Sequence, residues 1–204
     1  MIDPLLWERL SSADPRETAR NSACEWNAAR GCYLVPMLGG EYLVLPASRS
    51  VQTVRPAIPD EKPPGFNETL LLVNYLLSAR EIPRSGKLVP PERLPDGMFF
   101  FRGLHEIPVA AMIERFGSDP AAFLEAGKLL GAETVSYGDA ALSWRALPRV
   151  PITFVLWRGD DEFPARASVL FDSEAHRQLA LDALGCLASL AIKRLVKAAG
   201  AWRS

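Results

Sequence analysis

The sequence predicts an α+β protein with a mainly antiparallel sheet. Three observations carry that class. Helix punctuation and helical apolar spacing dominate the first two thirds, strand patterns crowd the stretch from residue 134 to 172, and a glycine pair centres an N-terminal hairpin. The arrangement expected is a single domain over residues 1–204, with the hairpin and the C-terminal strand block packed against several helices.

The elements follow in chain order. "DPRETARNSACEWNAARG" offers Asp14 as cap, Pro15 at the first helical position, Glu17 three residues after the cap and Gly31 past the end. That punctuation predicts a helix of about four turns. "CYLVPMLGGEYLVLP" sets two apolar, β-branched runs around Gly39-Gly40, and Pro36 makes the first of them an edge strand or a bulged one. Residues 55–65, "RPAIPDEKPPG", hold four prolines without a period and read as a surface loop. "FNETLLLVNYLLSAR" is apolar nearly all round, which predicts a central helix buried on most sides.

Met98-Phe99-Phe100-Phe101 is expected to be a short strand or docking segment that supplies ring area to the core. "HEIPVAAMIERFG" and "SDPAAFLEAGKLLG" read as neighbouring helices, the second capped by Asp119. "TVSYG", "AALSWRAL", "RVPITFVLW" and "ARASVLFD" are strands, the third apolar on both faces as a central strand is. A last helix is expected from a cap at Asp172 or Ser173, with Lys193, Arg194 and Lys197 placed to suit the dipole at its C-terminal end.

Composition narrows the function. The 23 basic and 24 acidic residues leave a net charge of −1 with no long like-charged run, so neither nucleic acid nor a membrane surface is expected as a partner. The N-terminus "MIDPLLWERLSS" has no basic and apolar leader pattern, and a cytoplasmic protein is expected. Cys24, Cys32 and Cys186 form no C-x-x-C pair, which fits a reducing compartment and does not suggest a metal site. The chain contains no phosphate-binding loop, dinucleotide fingerprint, H-E-x-x-H or G-x-S-x-G, and its two histidines, His105 and His176, are far apart.

One stretch stands out. "WRGDDEFPARASVLFD" places Asp160, Asp161 and Glu162 between two strand-like runs. As a hairpin tip these acids cost nothing while water solvates them. Catalysis or metal binding would need convergent partners, with Asp139 and Asp172 nearest in the strand block. A third reading buries Glu162 against Arg149 or Arg166.

The C-terminal third, with Gly138-Asp139, Leu147-Pro148-x-Val150-Pro151, Leu156-Trp157, Asp161-Glu162-Phe163-Pro164 and Leu170-Phe171-Asp172, resembles the domain of unknown function 3786 family. "LLLVNYLLSAR" and "FGSDPAAFLEAGKLLG" are similar to its middle section, so the resemblance covers residues from about 20 to 196. It implies a setting in anaerobic bacteria and archaea, where some members carry a cysteine-rich iron–sulfur module. This chain departs there. Its three scattered cysteines cannot supply a four-thiolate cluster, so any cluster would belong to a partner. The resemblance carries over no catalytic residue.

Asp139, Arg149, Trp157, Asp161, Glu162, Phe163 and Asp172 are therefore the candidate binding residues. Three readings stand side by side. The first is a non-catalytic accessory or binding protein of redox or cofactor metabolism, its partner an iron–sulfur or other redox protein and the 157–172 hairpin its contact edge. The second is a small-molecule-binding enzyme, its ligand unspecified, with a pocket between the strand block and the Leu70–Leu77 helix. The third is a homo-oligomer whose interface is covered by some of Trp7, Trp26, Trp144, Trp157 and Trp202.

Overall fold

The computed structural model describes residues 2–59 and 61–201. Among them the chain forms seven helices and two antiparallel sheets, of four and five strands, which is the α+β class expected. Helices α1 (Pro4–Ser12) and α2 (Pro15–Ser22) open the chain. Asp3 and Asp14 cap them by accepting backbone N–H groups of their first turns. The first sheet has the order β1-β2-β3-β4, with β1 (Glu25–Asn27), β2 (Cys32–Met37), β3 (Gly40–Leu45) and β4 (Ser50–Arg55).

Helix α2 ends at Ser22, not near Gly31, because Ala23 turns left-handed and Glu25–Asn27 pairs back onto Cys32–Leu34. Gly31, at φ +59°, closes that hairpin instead of a helix. The β2–β3 turn is made by Leu38 and Gly39, and Gly40 already belongs to β3. Gly39 cannot be replaced lightly, since a Cβ there would lie 2.8 Å from the Leu130 carbonyl oxygen. Pro36 falls beyond the reach of β1, so its missing N–H faces an open edge as expected.

After the Pro-rich loop, α3 (Phe66–Ser78) buries Leu71, Leu72, Val73, Tyr75 and Leu76. It packs mainly against α1, α2 and α7 (Leu181–Ala201). The segment 98–101 is neither a strand nor a full contribution to the core. It forms the short helix α4 (Gly97–Phe100), in which Phe99 stays 80% exposed while Phe101, just past its end, is buried.

The second sheet has the order β5-β9-β8-β7-β6, with β5 (Leu88–Val89), β6 (Glu133–Thr134), β7 (Ala140–Leu147), β8 (Val150–Trp157) and β9 (Arg166–Asp172). β8 is its centre, as its two apolar faces require. Ile152, Phe154 and Leu156 are fully buried on the face that meets α5 (Val109–Phe116) and α6 (Pro120–Leu129). α7 lies across those helices and starts at Leu181, later than a cap at Asp172 or Ser173 would give. The cause is Gln178, whose side chain accepts from the Arg80 N–H at 2.9 Å and donates to the Arg80 carbonyl at 3.1 Å. That pairing holds residues 173–180 out of the helix and against the end of α3.

A backbone hydrogen bond joins the two sheets, and a buried arginine ties α7 to the first of them. Leu38 N–H donates to the Ala146 carbonyl at 2.8 Å, and Arg194 reaches from α7 to the β2–β3 turn. Arg194 is 7% exposed, so it serves the interior and not the helix dipole. Trp7 and Trp144 are also buried, which removes them as covers for an interface between copies; Trp202 lies outside the described residues.

Candidate functional site

Alternation along β8 turns Pro151, Thr153, Val155 and Trp157 away from the helices. The strand registers place Ser143 beside Thr153, Thr153 beside Leu170 and Glu133 beside Ser143, so these residues share the outer face of the second sheet. A groove of about 600 Å³ runs along this face. Ser143, Pro151 and Thr153 form its floor, with Val135 and Tyr137 on one side and Arg84, Ser85 and Gly86 on the other.

Each wall is fixed by one of the candidate carboxylates. Asp172, 4% exposed, closes β9. Its Oδ1 accepts from Ser85 N–H at 3.1 Å, Ser85 Oγ at 3.0 Å and Glu174 N–H at 3.0 Å. Its Oδ2 accepts from Gly86 N–H at 2.8 Å. Burial works to raise the Asp172 pKa, but the donors from Glu174, Ser85 and Gly86 together outweigh it and hold the carboxyl below its ordinary value. Across the groove, Asp139 Oδ2 accepts from Arg158 N–H at 2.8 Å and fixes the end of the 135–139 loop. That loop lies close over the sheet. A Cβ on Gly138, at φ +53°, would come 2.8 Å from both Leu156 O and Val155 Cγ1 and 3.2 Å from the Trp157 ring. Trp157 is half-buried beneath it and carries the Arg166 guanidinium 5.4 Å from its ring centre.

The three consecutive acids of the hairpin divide differently. Asp160 organises the hairpin tip, its Oδ1 accepting from Glu162 N–H at 2.9 Å and Phe163 N–H at 2.7 Å. Those two bonds lower its pKa. Asp161 and Glu162 project into solvent, and Phe163 beside them is 66% exposed. Asp139, Asp160 and Asp161 line a shallow polar hollow beside this tip, but among the described residues no group of three His, Cys, Asp or Glu side chains is placed to hold a metal ion. Asp161→Asn and Glu162→Gln are each expected to shift the thermal midpoint by less than about 2 °C, since surface substitutions without partners are nearly neutral. Calorimetry of the two variants checks this; a larger loss from Glu162→Gln would reveal a paired carboxylate.

Arg149 does not join the other candidates, and it is not the partner of Glu162. Its guanidinium donates to the carbonyls of Asn21 and Arg20, while its own N–H donates to the Tyr75 hydroxyl at 3.0 Å. It thus satisfies carbonyls at the C-terminal end of α2, where a cation suits the helix dipole. Burial pushes the nearby Cys24 thiol up to about 11, so it is a poor nucleophile at neutral pH.

Of the seven candidates, only Asp172 lines the groove; Asp139 and Trp157 meet at the opposite end of the same sheet, where they hold the 135–139 loop, Asp161, Glu162 and Phe163 form the hairpin tip, and Arg149 is elsewhere. Arg84, Tyr137, Ser143 and Thr153 were missed. For Ser143 and Thr153 the one sequence signal was a hydroxyl in a mainly apolar strand, and only the register shows that the two meet; Arg84 and Tyr137 lie in loops and carried no signal.

These features define an α+β protein of two antiparallel sheets in which one sheet face carries a groove of ligand size. The family described as domain of unknown function (DUF3786) matches residues 14–194, and the chain belongs to that family. No curated protein and no solved structure matches it.

Proposed function

We propose that the chain is a non-catalytic accessory or binding protein that holds a small molecule on the outer face of its second sheet. Its setting in this reading is the cytoplasm of an anaerobe, in redox or cofactor metabolism. The observation that carries the reading is the groove itself, whose floor hydroxyls lie between two walls fixed by Asp139 and Asp172. Walls held by buried or backbone-bonded carboxylates pre-organise a site and reduce the ordering cost of binding. The hairpin tip, with exposed Phe163 between acids and Pro164, is the contact edge for a protein partner, an iron–sulfur or other redox protein. Among the described residues no helix is long and apolar enough to cross a membrane.

A second reading, an enzyme acting on the small molecule, is favoured by one observation: a carboxylate as buried as Asp172 lines the groove. Both readings put the ligand in the same place. Native mass spectrometry of protein isolated from its own host without oxygen is the test. Wild-type protein should retain a small-molecule adduct that the Thr153→Trp variant, with its groove filled, does not. An adduct of equal occupancy on both proteins would contradict the groove as the binding site.

A further inference from the structure

Resting on the groove as the binding site, the chemistry of its lining names the class of ligand. The apolar part of the lining comes from two strands of the sheet and from the 135–139 loop. Pro151 and Leu88 lie on the sheet, and the half-exposed Tyr137 ring rises beside Val135. Such a surface suits a ring system better than a chain, because stacked faces bury apolar area with few rotors to freeze.

The polar part is asymmetric. Arg84 lines the groove and makes no ion pair among the described residues, whereas Arg20, Arg49, Arg55, Arg177 and Arg194 each have a carboxylate partner. Lys87 follows within the same exposed loop. On the face beyond the floor, Glu133 and Arg145 are both exposed and of opposite sign, so together they add no net charge beside the groove. Asp172 is the acid on that wall, and its four hydrogen bonds are unevenly shared. Three go to Oδ1. Oδ2 takes one, from Gly86, and keeps acceptor capacity in a residue that lines the groove.

We propose that the groove takes an anionic ring compound that also donates a hydrogen bond. Its acid group pairs with Arg84 and the Ser143 and Thr153 hydroxyls, its N–H or O–H meets Asp172 Oδ2, and its ring lies on Pro151 against Tyr137. The arrangement selects against neutral analogues because Arg84 would be desolvated without a counter-charge.

Three probes separate these contributions: indole-3-acetate, the neutral indole-3-acetamide, and 1-methylindole-3-acetate, which lacks the ring N–H. Affinities are measured by titration calorimetry or ligand-observed NMR on wild type, Arg84→Gln and Thr153→Trp, each first shown by circular dichroism to be folded. The acetate should bind wild type about tenfold more tightly than either analogue, the scale of one charge-assisted hydrogen bond. Arg84→Gln should erase the preference over the amide while keeping the preference over the N-methyl compound, and Thr153→Trp should abolish binding. Equal affinity for all three probes would overturn the ligand class. So would binding that survives Thr153→Trp. If no probe binds while the host-isolated protein carries an adduct, the proposed chemistry fails and the groove reading stands; if neither is seen, both fail.

Discussion

Arg194→Met is expected to destabilise the protein by about 3–5 kcal/mol, the cost of removing one partner from a buried ion pair. The Arg194 guanidinium donates to the Met37 carbonyl at 3.1 Å, the Leu38 carbonyl at 2.8 Å and the Tyr42 hydroxyl, and pairs with Glu61 at 2.6 Å. Its side chain is only 9% exposed and that of Glu61 14%, so little water can replace the lost donors. One substitution therefore releases the last helix from the β2–β3 turn and from the Pro-rich loop together. For a chain of this length the thermal midpoint should fall by roughly 6–20 °C. Adding Glu61→Gln to Arg194→Met should recover part of the loss, because the stranded charge is then gone. Unfolding of the two single variants and the double variant measures this. A change below about 1 kcal/mol for Arg194→Met would mean that the site is wet and the link dispensable.

Asp172→Ala should have the second largest effect, about 2–3 kcal/mol, because it strips one carboxylate from four donors around the groove wall. It should also loosen residues 84–87 and weaken retention of the groove ligand, whereas Asp161→Asn should not. The same carboxylate makes stability depend on acid. Its folded pKa lies below its ordinary value, so the folded state favours the charged form. Its contribution is therefore complete above the unfolded value near pH 4 and is lost as pH falls through the lower folded value. In Asp172→Ala the acid-unfolding profile should be flatter below about pH 4, which denaturant titration at several pH values would read.

Local signals made most of the fold legible. Asp14-Pro15 and Asp119-Pro120 marked helix starts by cap chemistry, and alternation marked β7, β8 and β9, since both act within a few residues. Failures arose where a distant partner decided the outcome. "RNSACEWNAARG" carries helical punctuation, yet Trp26 and Tyr33 pack at 4.6 Å across the β1–β2 hairpin and the strand pairing prevails. Residues 173–180 look helical until Gln178 finds Arg80, far off in sequence. Arg194 sits at a position that suits a dipole contact, and nothing local shows that the Met37 and Leu38 carbonyls wait for it.

The site was legible in the same uneven way. Asp139, Trp157 and Asp172 lie on the strand block that the pattern defined, so they were found. Arg149 was drawn to the acids by charge alone, although the end of α2 claims it. Thr153 and Ser143 are ordinary strand residues in sequence, and only pairing makes them one polar floor.

The central claim is that the outer face of the second sheet is the binding surface. Its most direct test is a crystal structure of the protein isolated from its own host without oxygen. The account predicts density for a small molecule over Thr153 and Pro151, between Tyr137 and Arg84. A groove holding only ordered water, with a retained molecule seated on another face, would contradict it.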